Sequence, residues 1–211
     1  MRTRIHSRIA LPALFALLLA TSLGLVACSD DTLTSPTDPA PQASLDEQWQ
    51  TQVDALRAGI GDEAMAGLTP QLEQARASLG DTAAKHGARL YLSYATTTFD
   101  QAYIYLTGWG TVIGPYTAVA TNVVDNSVYP FIQYTTTTHT DQNGDEITFD
   151  SVGTGTLNED GTVTEFSGSA EWTGGTGRYA GATGTICYTG NANLVEFTGQ
   201  ILYWGWIDLN D

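Results

Sequence analysis

The sequence predicts a mainly β fold, a small antiparallel closed barrel of seven to nine strands preceded by a short helical segment, and three observations carry that expectation. From about Arg89 the composition turns abruptly to Thr, Gly, Tyr and Trp in alternating runs, as strands with one buried and one wet face require. Asn143-Gly144 and Asp160-Gly161 separate such runs, and both dipeptides supply the positive φ angles that tight hairpins need. Glycines fall inside the runs themselves, at 108, 110, 153, 155, 168 and 199, where close approaches or bends of a closed sheet would place them.

Register follows from the same alternation. Phe166, Gly168, Ala170 and Trp172 share one face of their strand, and Glu165, Ser167, Ser169 and Glu171 share the other, so the first set is expected inside and the second in water. The last strand breaks the rule. Ile201 and Tyr203 lie on one face and Leu202, Trp204 and Trp206 on the other, so both faces are apolar and something must cover the second. Either the helices that precede the barrel or a second copy of the chain, in a homo-oligomer formed through the last strand, would do so.

Ahead of the barrel, Ser44-Leu45-Asp46-Glu47 fits a capping box, and Trp49, Val53, Leu56 and Ile60 continue at helical spacing to Gly61. Thr69-Pro70 opens a second helix with Leu72, Ala75 and Leu79 on one stripe and Gly80 as its stop. Residues 28–43, rich in Thr, Ser, Pro and Asp, lack the apolar content of a core and are expected to form a flexible tether.

Residues 1–27 read as a secretory signal: Arg2, Arg4 and Arg8 start it, an apolar run over residues 11–25 continues it, and small residues lead to a cysteine. Leu25-Val26-Ala27-Cys28 resembles the lipobox of bacterial lipoproteins. That resemblance implies removal of residues 1–27, lipidation of Cys28 and anchoring in the bacterial cell envelope. Several acyl chains together hold a protein stably where one would not. Ser29 follows the cysteine where an acidic residue would resemble an inner-membrane retention signal, so the outer membrane is the expected address. The chain is thereby expected to divide into a signal peptide (1–27), a tether (28–43), a helical segment (44–88) and the barrel (89–211).

Composition excludes several functions. The whole chain carries a formal charge of −15, and the signal holds three of its eight basic residues, leaving 23 acidic against five basic residues in the mature form. Nucleic acid and anionic lipid surfaces are therefore not expected partners through a basic patch. His86, His139 and Cys187 do not stand at metal-ligand spacing, so no zinc site is expected. With Cys28 lipidated, Cys187 would be left as a buried free thiol in its strand. Asp141-Gln142-Asn143-Gly144-Asp145 opens like a calcium loop and then fails, with Glu146 at the position that requires glycine and Val152 at that of the bidentate glutamate.

The strongest internal signature runs from Gly174 to Gly184, GGTGRYAGATG. Gly175, Gly177 and Gly181 at first suggest a dinucleotide loop, but Thr185-Ile186-Cys187-Tyr188 follows as strand rather than helix, so no cofactor is expected. The segment instead resembles that of bacterial exported proteins in the allene oxide cyclase barrel-like group, related in fold to dirigent proteins. Gly108-Trp109-Gly110-Thr111, Gln142-Asn143-Gly144-Asp145 and Phe197-Thr198-Gly199-Gln200-Ile201 support the resemblance, which spans about residues 103–207 and none of the helical part.

The resemblance implies a barrel, usually eight-stranded, with an apolar cavity. Its plant members cyclise an unstable epoxide or steer radical coupling, largely through cavity shape. Three functions stay open: a lipid-anchored barrel that binds a small apolar ligand or partner without chemistry, a barrel cyclase or isomerase, and a structural envelope component. If chemistry occurs, Arg178, Tyr179, Glu171 and Tyr188 are the candidates nearest in sequence to the polar groups such a pocket needs.

Overall fold

The computed structural model describes residues 43–79, 88–100 and 103–209. Three helices come first: α1 (Leu45–Ile60), α2 (Asp62–Ala66) and α3 (Thr69–Ser78). Eight strands follow: β1 (Arg89–Phe99), β2 (Tyr103–Gly110), β3 (Gly114–Asp125), β4 (Phe131–Asp141), β5 (Glu146–Leu157), β6 (Val163–Gly175), β7 (Thr185–Asn193) and β8 (Thr198–Ile207). They form an up-and-down antiparallel barrel in chain order, closed by β8 pairing with β1 from Thr198↔Thr98 to Ile207↔Arg89. Closure leaves no unpaired sheet edge.

The helix starts and stops follow from local chemistry. In α1 the Ser44 hydroxyl accepts from the Glu47 amide at 3.3 Å while the Glu47 carboxylate accepts from the Ser44 amide at 2.8 Å, the reciprocal bonds of a capping box. Gly61 ends the helix at φ +85°, a conformation that costs glycine little. The short α2, which the sequence pattern does not announce, bridges to α3, where Pro70 sits in the first turn.

Strand register places Ala170 and Trp172 inside, with Phe166 half-buried beside the interior core, and leaves Glu165 and Glu171 in water. A bulge at Thr173 then shifts the pairing, since Phe149 meets Trp172 and Thr148 meets Gly174. The two turn dipeptides differ from expectation in one respect. Only their glycines take positive φ, Gly144 at +86° and Gly161 at +66°. Gly144 N–H donates to the Asp141 carbonyl at 3.0 Å, so the β4–β5 turn is a three-residue loop closed by a left-handed glycine rather than a two-residue hairpin.

Glycines in the strands admit large side chains from neighbouring strands. A methyl group at Gly153 or Gly168 would overlap the Tyr188 hydroxyl, so the Tyr188 ring lies across both.

The doubly apolar β8 is covered from within the chain. Trp49, Val53, Leu56, Leu72 and Leu79 pack with Leu90, Leu92, Leu202 and Trp204 in one buried cluster, with Trp206 and Trp109 at its margin. Trp204 Nε1 donates to the Ser78 hydroxyl at 2.7 Å, and the Trp109 indole lies against Gly59, where any side chain would overlap it. This cover occupies the face for which a second copy of the barrel was the alternative. Cys187 sits in the same cluster, 2% exposed, and is disulfide-bonded, in place of the free thiol expected; the other end of that bond lies outside the described residues. Cys28, His86 and the tether also lie outside them. No helix among the described residues is long and apolar enough to cross a membrane.

Candidate functional site

An eight-stranded barrel encloses a space that side chains just fill, so which residues point inward at each level decides whether it is solid or hollow. Here the two ends differ. Toward the start of β1 the interior is packed with rings: Tyr91, Tyr116, His139, Phe149, Trp172 and Tyr203 interlock, with Phe149 to Trp172 at 5.1 Å and Tyr91 to Trp172 at 5.3 Å between centroids, both edge-on. Toward the end of β1 the inward residues shrink to Thr97, Ala120, Thr135, Ser151 and Ala192, and a cavity of about 290 Å³ opens there. Phe149 and Tyr203 form its floor.

The glycine-rich segment closes the packed end. Gly177–Tyr179 forms a 3-10 turn that seats Tyr179 fully buried across the barrel, and Tyr179 donates to Asp141 Oδ2 at 3.2 Å. Arg178 Nη2 meets the same oxygen at 2.9 Å and donates to the Ile113 carbonyl at 3.0 Å. Asp141 Oδ1 accepts from the Asn143 and Asp145 amides at 2.7 and 3.1 Å. Burial alone would raise the Asp141 pKa, but these backbone donors, the Tyr179 hydroxyl and the Arg178 guanidinium outweigh it and hold the carboxyl below its ordinary value. The loop that opens like a calcium site thus spends its first carboxylate on its own turn and on the plug.

The four candidates drawn from the sequence separate in space. Arg178 and Tyr179 belong to the plug, on the far side of the ring-packed layer from the cavity. Glu171 is exposed on the outer face of β6, and only Tyr188 lines the cavity. Burial raises the Tyr188 pKa against the opposing effect of the Ser151 hydroxyl, and burial with neighbouring tyrosines holds Tyr203 well above its ordinary value. Both are protonated hydrogen-bonding groups at neutral pH, not bases. Asp100 is the carboxylate at the rim, where it accepts from the Tyr103 amide at 2.8 Å and the Tyr105 hydroxyl at 3.3 Å.

The structure adds a feature that the sequence reasoning passed over. The inward face of β4 is polar along most of its length: Gln133, Thr135 and Thr137 line the cavity, His139 lies beneath its floor and Asp141 meets the plug. His139 is fully buried, stacked on Tyr116 at 4.2 Å and 11° between planes, and edge-on to Phe149 at 5.2 Å. Neither ring nitrogen has a hydrogen-bond partner among the described residues, nor have the Tyr91 hydroxyl and Trp172 Nε1. Burial lowers the His139 pKa to about 3, so the imidazole is neutral. The signal was present in the run from Gln133 to Asp141, which is polar on both faces just as β8 is apolar on both.

An unpartnered buried imidazole lowers stability, and apolar replacement of equal shape removes that cost. His139→Phe is therefore expected to raise stability at pH 7 by about 1–2 kcal/mol, read by urea unfolding. The sign with pH is fixed by linkage. Between about pH 6.5 and 3 the unfolded chain holds a proton at this histidine that the folded chain does not, so stability falls as pH drops through that window and the variant's fall is shallower. A variant less stable than its parent, with an unchanged pH slope, would mean that the imidazole is satisfied in the fold.

Comparison of the chain with protein-family models, with curated protein sequences and with solved structures returned no match.

Proposed function

We propose that the protein is a lipid-anchored bacterial envelope protein whose barrel holds a small, mostly apolar ligand in the cavity at its open end. The observation that supports this reading is the cavity itself, about 290 Å³, lined by Phe99, Ile104, Leu106, Phe166 and Ile201 with a few convergent polar groups, and open at one end only. Ligand pockets have this character, and its volume lies near their lower limit of about 300 Å³. The resemblance of the Gly174–Gly184 segment to the allene oxide cyclase barrel-like and dirigent-like group is a second, weaker support, because one barrel carries many functions. A cyclase or isomerase is the less supported reading. Among the described residues, the titratable groups facing the cavity are Asp100 and Tyr103 together with Tyr188 and Tyr203, the last two held protonated, with no acid–base pair at its centre.

Native mass spectrometry of protein extracted from its own membrane tests the cavity. The parent is expected to carry a small adduct that Ala120→Trp, which fills the cavity, does not. Identical spectra would remove the ligand-binding reading and leave a structural envelope component.

The anchor has its own test. Cys28→Ala is expected to stay unprocessed or to leave the outer-membrane fraction, and unchanged processing and fractionation would defeat the proposal. The chain has two cysteines, so the disulfide at Cys187 and a thioether at Cys28 exclude each other in one molecule; the anchor requires that the disulfide belong to the chain before lipidation and that the mature protein alkylate without reduction. A mature protein that alkylates only after reduction carries the disulfide instead and is not lipidated.

A further inference from the structure

The geometry points to an uncharged ligand, with an apolar body and a hydrogen-bonding edge that lies along β4; this rests on the ligand-binding reading above and names the class of molecule. The cavity is two-sided. On β4, Gln133, Thr135 and Thr137 face inward in succession. The Thr135 hydroxyl is spent on Asn122 Oδ1 at 3.3 Å, but neither the Gln133 amide nor the Thr137 hydroxyl has a hydrogen bond among the described residues. The opposite wall is mostly apolar: Ile201 on β8, Ile104 and Leu106 on β2 and Ala192 on β7, with the Thr97 and Tyr188 hydroxyls as its polar groups. A ligand polar along one edge and apolar along the other satisfies both walls at once.

Charge is excluded by what surrounds this space. No Lys, Arg or His of the described residues lines the cavity. Arg57 and Arg76 lie on the helices, while Arg89 and Arg178 lie at the plugged end of the barrel. Burying a carboxylate without a cation costs far more than burying a neutral group of the same shape. Asp100 at the rim and the strongly acidic chain add repulsion on approach. A cation finds no carboxylate deeper than Asp100, whose oxygens already accept two hydrogen bonds.

Three probes of nearly equal shape separate these statements: 1-naphthamide, 1-naphthoate and 1-methylnaphthalene, titrated calorimetrically into the full chain at pH 7.5. Naphthamide is expected to bind at least about tenfold more tightly than naphthoate, the difference between a neutral and an unpaired charged group. It is also expected to bind about threefold or more tightly than methylnaphthalene, since hydrogen bonds to β4 offset the desolvation of the amide. A wholly apolar cavity would reverse that second order. In the double variant Gln133→Leu, Thr137→Val, whose folding is checked by its unfolding temperature, the preference is expected to pass to methylnaphthalene. Naphthoate binding as tightly as naphthamide overturns the uncharged class, and a preference for methylnaphthalene in the parent overturns the hydrogen-bonding edge. Binding of none of the three removes the ligand-binding reading on which both depend.

Discussion

Asp141→Ala is expected to lower the unfolding free energy by about 2–4 kcal/mol, because it strips the plug of its common acceptor. Four donors converge on this one carboxylate, whose side chain is 0% exposed: two backbone amides, the Tyr179 hydroxyl and the Arg178 guanidinium. Alanine would leave the Tyr179 hydroxyl buried and unpaired, which is the expensive outcome. The Arg178 contribution is the smaller share, since its side chain is 46% exposed and water screens it. In a chain of this size the loss corresponds to an unfolding temperature lower by about 5–15 °C.

Acid gives an independent check on the same group. The Asp141 carboxyl is held below its unfolded value, so its contribution is complete above about pH 4 and is lost as pH falls through the lower folded value. The stability gap between the parent and Asp141→Asn is therefore expected to close in that acidic window, below the point where the His139 penalty has already begun. A variant that unfolds within about 2 °C of the parent would show that the plug is held by packing around Tyr179 rather than by this acceptor.

The elements that sequence reasoning reached are those whose signals are local. Ser44 and Glu47 cap a helix over three residues, and Glu171 and Trp172 show their faces by parity alone, because the side-chain period of a strand is two. The doubly apolar β8 predicted a cover, and its nearest amphipathic neighbour in the chain supplied one.

The cavity was not legible in that way. It exists because Thr97, Ala120, Thr135, Ser151 and Ala192 come from five strands to one level of the barrel, and that level is set by strand tilt and stagger rather than by alternation. Arg178, Tyr179 and Tyr188 looked like one site because they are close in sequence. The turn of the plug and the run of β7 instead put a ring-packed layer between the first two and the third. The sequence shows of His139 only that it lacks metal-ligand spacing, whereas its environment is made by Tyr116, Phe149 and Tyr203 from three other strands.

Deleting residues 44–80 is expected to make the protein aggregate. The deletion strips Leu90, Leu92, Leu202 and Trp204, all buried in the intact chain, and leaves Trp109 and Trp206 beside them. Each large side chain returned to water forfeits about 1.5–3 kcal/mol, so the four alone approach or exceed the net stability of about 5–15 kcal/mol that folded domains possess. The deletion removes no strand of the closed barrel, so the first expected consequence is exposure of a sticky face rather than unravelling of strands. A milder form of the same test keeps the chain whole. Leu56 is 0% exposed at the centre of this cluster, and Leu56→Ala is expected to cost about 2–5 kcal/mol through lost burial and the cavity it leaves. Size-exclusion chromatography with light scattering reads the deletion, and thermal unfolding reads Leu56→Ala. A truncated barrel that stays soluble as a dimer would show that a second copy can replace the helices on β8. One that stays a soluble monomer, together with a Leu56→Ala protein as stable as its parent, would mean that this apolar face needs no cover at all.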